Sequence, residues 1–443
     1  MKENVEELLA KAKKPMEAAP GLHEKYRGKI ETIPKCKIKD FKDFSIWYTP
    51  GVAAPCREIQ ENKDLAYTYT CKWNSVAVVS DGTRVLGLGD IGPEAAMPVM
   101  EGKALLFRYL GGVDAFPLCL DTKDPDKLIE TVKMLQPTFG GINLEDISQP
   151  KCFYVLEKLR EECRIPVWHD DQQGTAAVIL AGILNSLKVV GKKLQEARIV
   201  FLGAGAAGIR VADVLFKAGA DPAVCVMYDI KGTLHKNRKD FQDDPSCREQ
   251  WRMCLQTNGD GVDASLPEVL EGADVLIAFS KPGPGTVKAE WVKRMGKDAI
   301  VFACANPVPE IWPWEAKEAG AKIVATGRGD FPNQVNNSLG FPGIFRGTLD
   351  VQATTITDEM CIEAAKALAK TAEDKGLSED YIIPTMDEWE VFPREAVAVG
   401  MKAIEQGIAR KTMTKEELYT VSENIIRDAR EKTKAMMAQG FIE

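Results

Sequence analysis

The chain has 443 residues, 45% hydrophobic and 28% charged, enough for a large buried core and two or three domains. Its 57 Lys and Arg against 65 Asp and Glu give a net charge of -8, which excludes a field that gathers nucleic acid or an anionic membrane surface. The longest apolar run, Ala176 to Leu184, falls far below the roughly 18 residues of a membrane span.

The opening Met1-Lys2-Glu3-Asn4 carries charge and no apolar leader, and the 11 cysteines include no C-x-x-C. Reduced thiols in a cytoplasmic protein are therefore expected. Three histidines, His23, His169 and His235, are too few for a His-rich zinc site, so a metal here would be held by oxygen.

In chain order, the stretch to about Lys42 reads as a surface helix and an arm, with Val5, Leu8 and Leu9 at helical spacing. From Phe41 to about Leu120, short apolar runs such as Val76–Val79 and Val85–Leu88 alternate with Gly and Pro turns, as in a small α/β unit. From Ile165 the rhythm becomes strand, helix, strand. Ile165–His169, Ala197–Leu202, Val224–Tyr228, Ala273–Phe279, Ala299–Ala303 and Lys322–Thr326 are the strands, with helices over Thr175–Leu187 and Gly205–Gly219. This alternation predicts an α/β fold with an open, doubly wound parallel sheet. Asp240–Gly261 reads as a loop or short helical excursion, and the chain after about Thr354 as helices, including Glu363–Ala372 and Lys415–Ala435. The expected division is residues 1–164, a dinucleotide-binding unit over 165–395, and a helical segment over 396–443.

The strand Arg198–Leu202 runs into Gly203-Ala204-Gly205-Ala206-Ala207-Gly208 and then into a helix. Strand, glycines, helix, second strand and a terminal acid together form a dinucleotide fingerprint. Gly203 permits the turn, Gly205 the approach of a pyrophosphate, and Gly208 the packing of helix on strand. Asp229, 21 residues after Gly208, would accept from a ribose and repel a 2′-phosphate, whereas Lys231, His235, Lys236 and Arg238 could receive one. Both NAD and NADP stay open.

Two predicted strands end in acidic pairs, Glu145-Asp146 and Asp170-Asp171. Strand ends line the ligand crevice of open α/β sheets, and several carboxylates there suit Mg²⁺ or Mn²⁺. The alternative is helix capping, a role that Asp171 fits. Tyr48, entering the turn Thr49-Pro50-Gly51, either projects its hydroxyl into a cleft or packs in the core. Lys103, in Met100–Phe107, is either a snorkelling surface residue or a buried base with its pKa lowered toward about 7–8. Arg84 could clamp a carboxylate, and Asn306 and Asn337 lie in turn-like segments beyond later strands.

Trp47–Ala53, Leu86–Pro93, Met100–Lys103, Asn143–Asp146, His169–Thr175, Ala305–Pro307 and Phe331–Gly343 together resemble the malic enzymes, in their shorter microbial-type form. The resemblance runs from about Tyr48 to about Arg346 and implies oxidative decarboxylation of (S)-malate to pyruvate and CO₂ with NAD or NADP and a divalent metal. It implies Tyr48 as general acid, Lys103 as general base with Asp170 beside it, and Glu145, Asp146 and Asp171 as metal ligands. Asn306 and Asn337 are implied as malate-binding positions. Arg84 matches a carboxylate-binding arginine of the longer malic enzymes. A homodimer is expected, with no nucleic-acid or membrane partner. A metal-independent amino-acid dehydrogenase, or a dinucleotide sensor without catalysis, are the competing readings; the carboxylate quartet counts against the first and the full set of Tyr48, Lys103 and acidic residues against the second.

Overall fold

The structure is a computed structural model that describes residues 5–443, with side chains from residue 14; Met1–Asn4 and the side chains of Val5, Leu8 and Leu9 lie outside it. Two parallel sheets carry the fold. The first comprises β1 (Ser75–Ser80), β2 (Asp114–Cys119), β3 (Gly141–Leu144) and β4 (Val167–His169) in the order β2-β1-β3-β4. The second comprises β5 (Ile199–Leu202), β6 (Val226–Asp229), β7 (Gly232–Thr233), β8 (Val275–Ala278), β9 (Ala299–Ala303) and β10 (Ala321–Thr326) in the order β10-β9-β8-β5-β6-β7. Only β7, a two-residue edge strand, runs antiparallel to its neighbour.

The strands of β1, β3, β5, β8 and β9 are buried throughout, so they read as continuous Val/Ile/Leu runs rather than alternating ones. In each sheet the chain order reverses at the centre, between β1 and β3 and between β5 and β8. Crevices for ligands open at those points, beyond the C-terminal strand ends.

Two sequence expectations change here. Val167–His169 pairs with β3 and closes the first sheet instead of opening the second. Val85–Leu88 is a loop held by a single bridge from Val85 to Gly89, with Leu86 and Leu88 exposed. The segment read as a loop or helical excursion carries two short helices, Lys239–Gln242 and Arg248–Gln256.

The helix Pro93–Gly111 crosses the first sheet and is capped by Gly112 in the left-handed region (φ 64), where its backbone N–H reaches Arg108 O. The helix Phe341–Asp350, buried at all ten positions, packs against it. The Phe107 ring lies 4.6 Å from that of Phe341 and 5.1 Å from that of Phe345, which fixes the two helices face to face. Helices Asp358–Lys375, Val391–Glu405 and Lys415–Ala438 complete the C-terminal part, as the sequence pattern predicts.

Among the described residues one helix, Asp170–Val190, is long and apolar enough to cross a membrane. It exceeds the apolar run in the sequence because Asp170–Gly174 form a π turn that leads into the Thr175–Val190 helix. Its residues Ala176 to Ile183 and Asn185 to Leu187 are buried as core, packed against the Asp358–Lys375 and Ala206–Lys217 helices.

The N-terminal part is built differently. Helices Asp43–Trp47 and Ala53–Glu61 bury no residue, and Phe41, Ile46, Trp47 and Tyr48 stand exposed. Lys29 and Lys35 tie the preceding arm to Pro98 O and Asp114.

Candidate active site

The first crevice gathers the acidic pairs. Glu145 and Asp146 follow β3, and Asp170 and Asp171 follow β4. Ligand oxygens of Glu145, Asp146 and Asp171 lie within 4.8 Å of one another. Asp146 sits at φ 54, a left-handed conformation that Asp tolerates better than most residues and that turns its side chain back toward Asp171. Asp171 does not cap the following helix: its Oδ2 accepts the Asp146 N–H at 2.9 Å.

Lys103 points from the Pro93–Gly111 helix into this cluster. Its Nζ lies 2.5 Å from Asp170 Oδ2 and 3.0 Å from Glu145 Oε1, over the face of Phe341 at 4.3 Å. It is buried, so the snorkelling reading falls away. The expected lowered pKa is also corrected. Burial alone would lower it, but Asp170 and Glu145 outweigh burial and hold the ammonium above the ordinary lysine value. Asp170 is fixed in turn by the Trp168 Nε1–H, which donates to Oδ1 at 3.1 Å.

The cluster carries the signature of a cation site. Burial, followed by the neighbouring Asp171, pushes the Asp146 carboxyl up to about 8, and burial raises that of Glu145 despite Lys103. Asp146 Oδ2 is buried with no hydrogen-bond partner among the described residues, as are Asn143 Oδ1 and both ring nitrogens of His169. Oxygen donors this close, with unused lone pairs and costly negative charge, fit a hard divalent ion.

Around this centre the substrate candidates are arranged unevenly. Arg84 is exposed at the rim, with its backbone N–H on Asp146 O at 3.0 Å. Asn337 opens a short 3-10 turn beside Gly174, where a Cβ would lie 3.3 Å from Asn337 Cβ and 2.0 Å from Asp170 Oδ1. Asn306 follows β9 and borders both halves. A Cβ on Gly87 of the first half would lie 3.1 Å from its carbonyl, and one on Gly327 after β10 would lie 2.9 Å from its side chain. Tyr48 is neither in a cleft nor in the core: it is 71% exposed on the surface arm.

The dinucleotide fingerprint occupies the second crevice. Gly203 (φ 118) follows β5, where a Cβ would stand 2.5 Å from Phe279 O, and one on Gly208 would stand 2.1 Å from Gly203 O. Ala204, Gly205, Ala206 and Ala207 are only partly buried, leaving the start of the Ala206–Lys217 helix open to a phosphate. Gln149, two residues beyond Ile147 in the first half, faces Gly205 across the cleft. Asp229 ends β6 and is held by Arg238, Nη2 to Oδ2 at 2.8 Å and Nη1 to Oδ1 at 3.1 Å. Arg238 also pairs with Asp240, so all of its nitrogens are engaged. The sequence reading missed Asp240 and Glu310, the latter a buried carboxylate behind the Asn306 loop.

A family model described as "Malic enzyme, N-terminal domain" matches residues 27–160, and one described as "Malic enzyme, NAD binding domain" matches residues 172–404. The chain belongs to the malic enzyme family. Among its relatives in that family, a bifunctional malic/malolactic enzyme of Bacillus subtilis is 51% identical over 402 residues, 91% of this chain and 96% of that protein. An NAD-dependent malic enzyme of Geobacillus stearothermophilus is 52% identical over 384 residues, 87% of this chain and 78% of that protein. The crystal structure of a malic enzyme from Entamoeba histolytica superposes with a TM-score of 0.96 at 52% identity, covering 100% of this chain and 93% of that one. The two-sheet architecture with a Rossmann-type half is therefore the family's own.

Proposed function

We propose that this chain catalyses the oxidative decarboxylation of (S)-malate to pyruvate and CO₂, with NAD or NADP as hydride acceptor and a divalent metal held by Glu145, Asp146 and Asp171. The observation that carries the reading is a buried lysine, Lys103, between two carboxylates at one edge of a three-carboxylate cluster, whose Asp170–Gly174 turn packs against the helix that follows the dinucleotide loop. Mg²⁺ or Mn²⁺ in that cluster supplies Lewis acidity toward the oxygens of a 2-hydroxy acid.

In its neutral form Lys103 accepts the proton of the C2 hydroxyl as C2 loses hydride, and Asp170 holds the lysine in place for that transfer. Glu145 and Asp170 alone keep Lys103 protonated; a divalent cation held by Glu145, Asp146 and Asp171 would offset that negative charge and favour the neutral amine. Arg84, Asn306 and Asn337 bind the substrate's carboxylates and orient it. Loss of the C4 carboxylate then leaves enolpyruvate, which needs a proton on C3. Tyr48 supplies it, and because this tyrosine stands on an exposed apolar arm, it does so in the site of a second copy of the chain. A homodimer covers Phe41, Ile46 and Trp47 in the same step.

The test is a coupled assay with (S)-malate, Mn²⁺ and either dinucleotide. The expected outcome is one pyruvate per dinucleotide reduced, abolished by chelation and restored by added metal. Undiminished turnover after exhaustive chelation, or dinucleotide reduction without pyruvate, refutes the proposal.

A further inference from the structure

Glu310 lies between Pro309 and the Trp312–Trp314 turn, outside every motif that marks the site. It is fully buried, and the side-chain hydrogen bonds its carboxylate accepts come from two strand-end loops. Its Oε1 accepts the Ser280 N–H at 2.8 Å and the Ser280 hydroxyl at 3.2 Å, just beyond β8. Its Oε2 accepts the Ala305 N–H at 3.1 Å, just beyond β9. Its own carbonyl accepts the Val287 N–H at 3.0 Å, closing the loop that Ser280 opens.

These loops flank the point where a dinucleotide crosses the sheet, and Ala305 is the residue before Asn306. Asn306 is exposed and has no side-chain hydrogen bond among the described residues. Its position is set by its backbone and by the space left at Gly87 and Gly327. A buried carboxylate is costly where a neutral side chain could pack, and burial raises the Glu310 pKa in spite of its backbone donors. Such a group is explained by the geometry that it enforces.

We propose that Glu310 is a positioning residue for malate: by clamping the Ser280 and Ala305 amides with one carboxylate, it fixes the loop that presents Asn306 to the substrate. This rests on the reading of Asn306 as a malate-binding residue.

The test is E310Q, N306A and the double variant. The glutamine keeps the size of the side chain but turns one acceptor into a donor, so either Ser280 or Ala305 meets an amide N–H instead of an oxygen. A misplacement of about 1 Å at a positioned group costs on the order of 10²-fold in rate. The expected result is a loss of about that size in kcat/KM for malate in E310Q, carried largely by KM. The dissociation constant for the dinucleotide, titrated without malate, should stay within about twofold. In the N306A background the same E310Q substitution should cost less than about threefold, because the residue it positions is gone.

An undiminished E310Q effect in the N306A background overturns the proposal, as does an equal loss of dinucleotide affinity. Should E310Q fail to fold, E310D carries the same cycle: its retracted carboxylate keeps both acceptors out of reach of one loop, and a wild-type kcat/KM in E310D also overturns the proposal. Lack of malate turnover in the wild-type chain would instead remove the reading of the reaction. Additivity in an active enzyme removes only the role of Glu310.

Discussion

Gly174→Ala pits local propensity against the site. Gly174 has ordinary helical dihedrals, φ -65 and ψ -45, at the mouth of the Thr175–Val190 helix. By helix propensity and unfolded-state entropy alone, alanine there would stabilise the fold by about 1 kcal/mol. The added Cβ, however, would lie 2.0 Å from Asp170 Oδ1 and 2.9 Å from its Cγ. That is about 1 Å short of any tolerable contact, and overpacking of this kind costs about 1–3 kcal/mol. Asp170 is the atom group that must give. It cannot retreat without leaving the Trp168 indole or the Lys103 ammonium, to which its Oδ2 is 2.5 Å away.

The net stability change is thus small, roughly 0–2 kcal/mol of loss, while the base is displaced by about 1 Å, a shift worth on the order of 10²-fold in turnover. Urea unfolding and steady-state malate oxidation measured on the same preparation separate the two effects. Gly102→Ala, in the helix that bears Lys103, isolates the propensity gain, since a Cβ there meets nothing within 4 Å. A Gly174→Ala variant that is more stable than wild type and within twofold of its kcat/KM would show that Asp170 does not hold Lys103 in the working geometry.

Asp146→Asn should weaken Mn²⁺ binding by at least about 10²-fold, since outer-sphere changes alone cost 10–100-fold; electron paramagnetic resonance of free Mn²⁺ reads this directly, and an unchanged dissociation constant contradicts the ligand set. Asp229→Ser releases Arg238 from one of its two carboxylates, so the NADP to NAD ratio of kcat/KM should rise by about tenfold, equivalent to roughly 1.4 kcal/mol. A ratio that does not move places phosphate discrimination elsewhere. Glu395 is buried with neither oxygen partnered among the described residues, and burial raises its carboxyl well above the ordinary value. The folded state then binds more protons than the unfolded state above about pH 4.5, so Glu395 costs more stability as pH rises toward its folded pKa. Glu395→Gln should therefore gain urea resistance relative to wild type on going from pH 5 to pH 8, and a pH-independent difference between them would contradict this.

What could be read in the sequence was whatever announces itself by local spacing. The Gly203–Gly208 turn was legible from its place between a strand and a helix, and a Cβ on Gly203 or Gly208 would indeed meet a backbone carbonyl, that of Phe279 or of Gly203. The carboxylates after β3 and β4 were legible because strand ends gather ligands, and they converge as expected. Long-range electrostatics was not legible. Lys103 and its two anions are separated by 42 or more positions of chain, so no window reveals that its pKa is raised instead of lowered. Glu310 escaped notice because a carboxylate that serves backbone amides leaves no pattern of partner side chains. Tyr48 reads as core or cleft from its Pro/Gly turn, yet it stands exposed on an arm whose helices bury no residue, which local spacing does not reveal. The membership of Val167–His169 in the first sheet follows from pairing with β3, which hydrophobic rhythm cannot assign.

The central claim is that Lys103 and Tyr48, from two copies of the chain, serve one site with separate duties. Its most direct test combines two inactive variants. Lys103→Ala should lose both malate oxidation and reduction of added oxaloacetate, whereas Tyr48→Phe should lose malate turnover but retain oxaloacetate reduction, which forms no enol. When the two are co-expressed, each mixed dimer holds one site with both residues intact, so malate turnover should return to about a quarter of wild type for random pairing. Mixed dimers isolated by two different tags that remain inactive would contradict the account, placing Tyr48 in the site of its own chain.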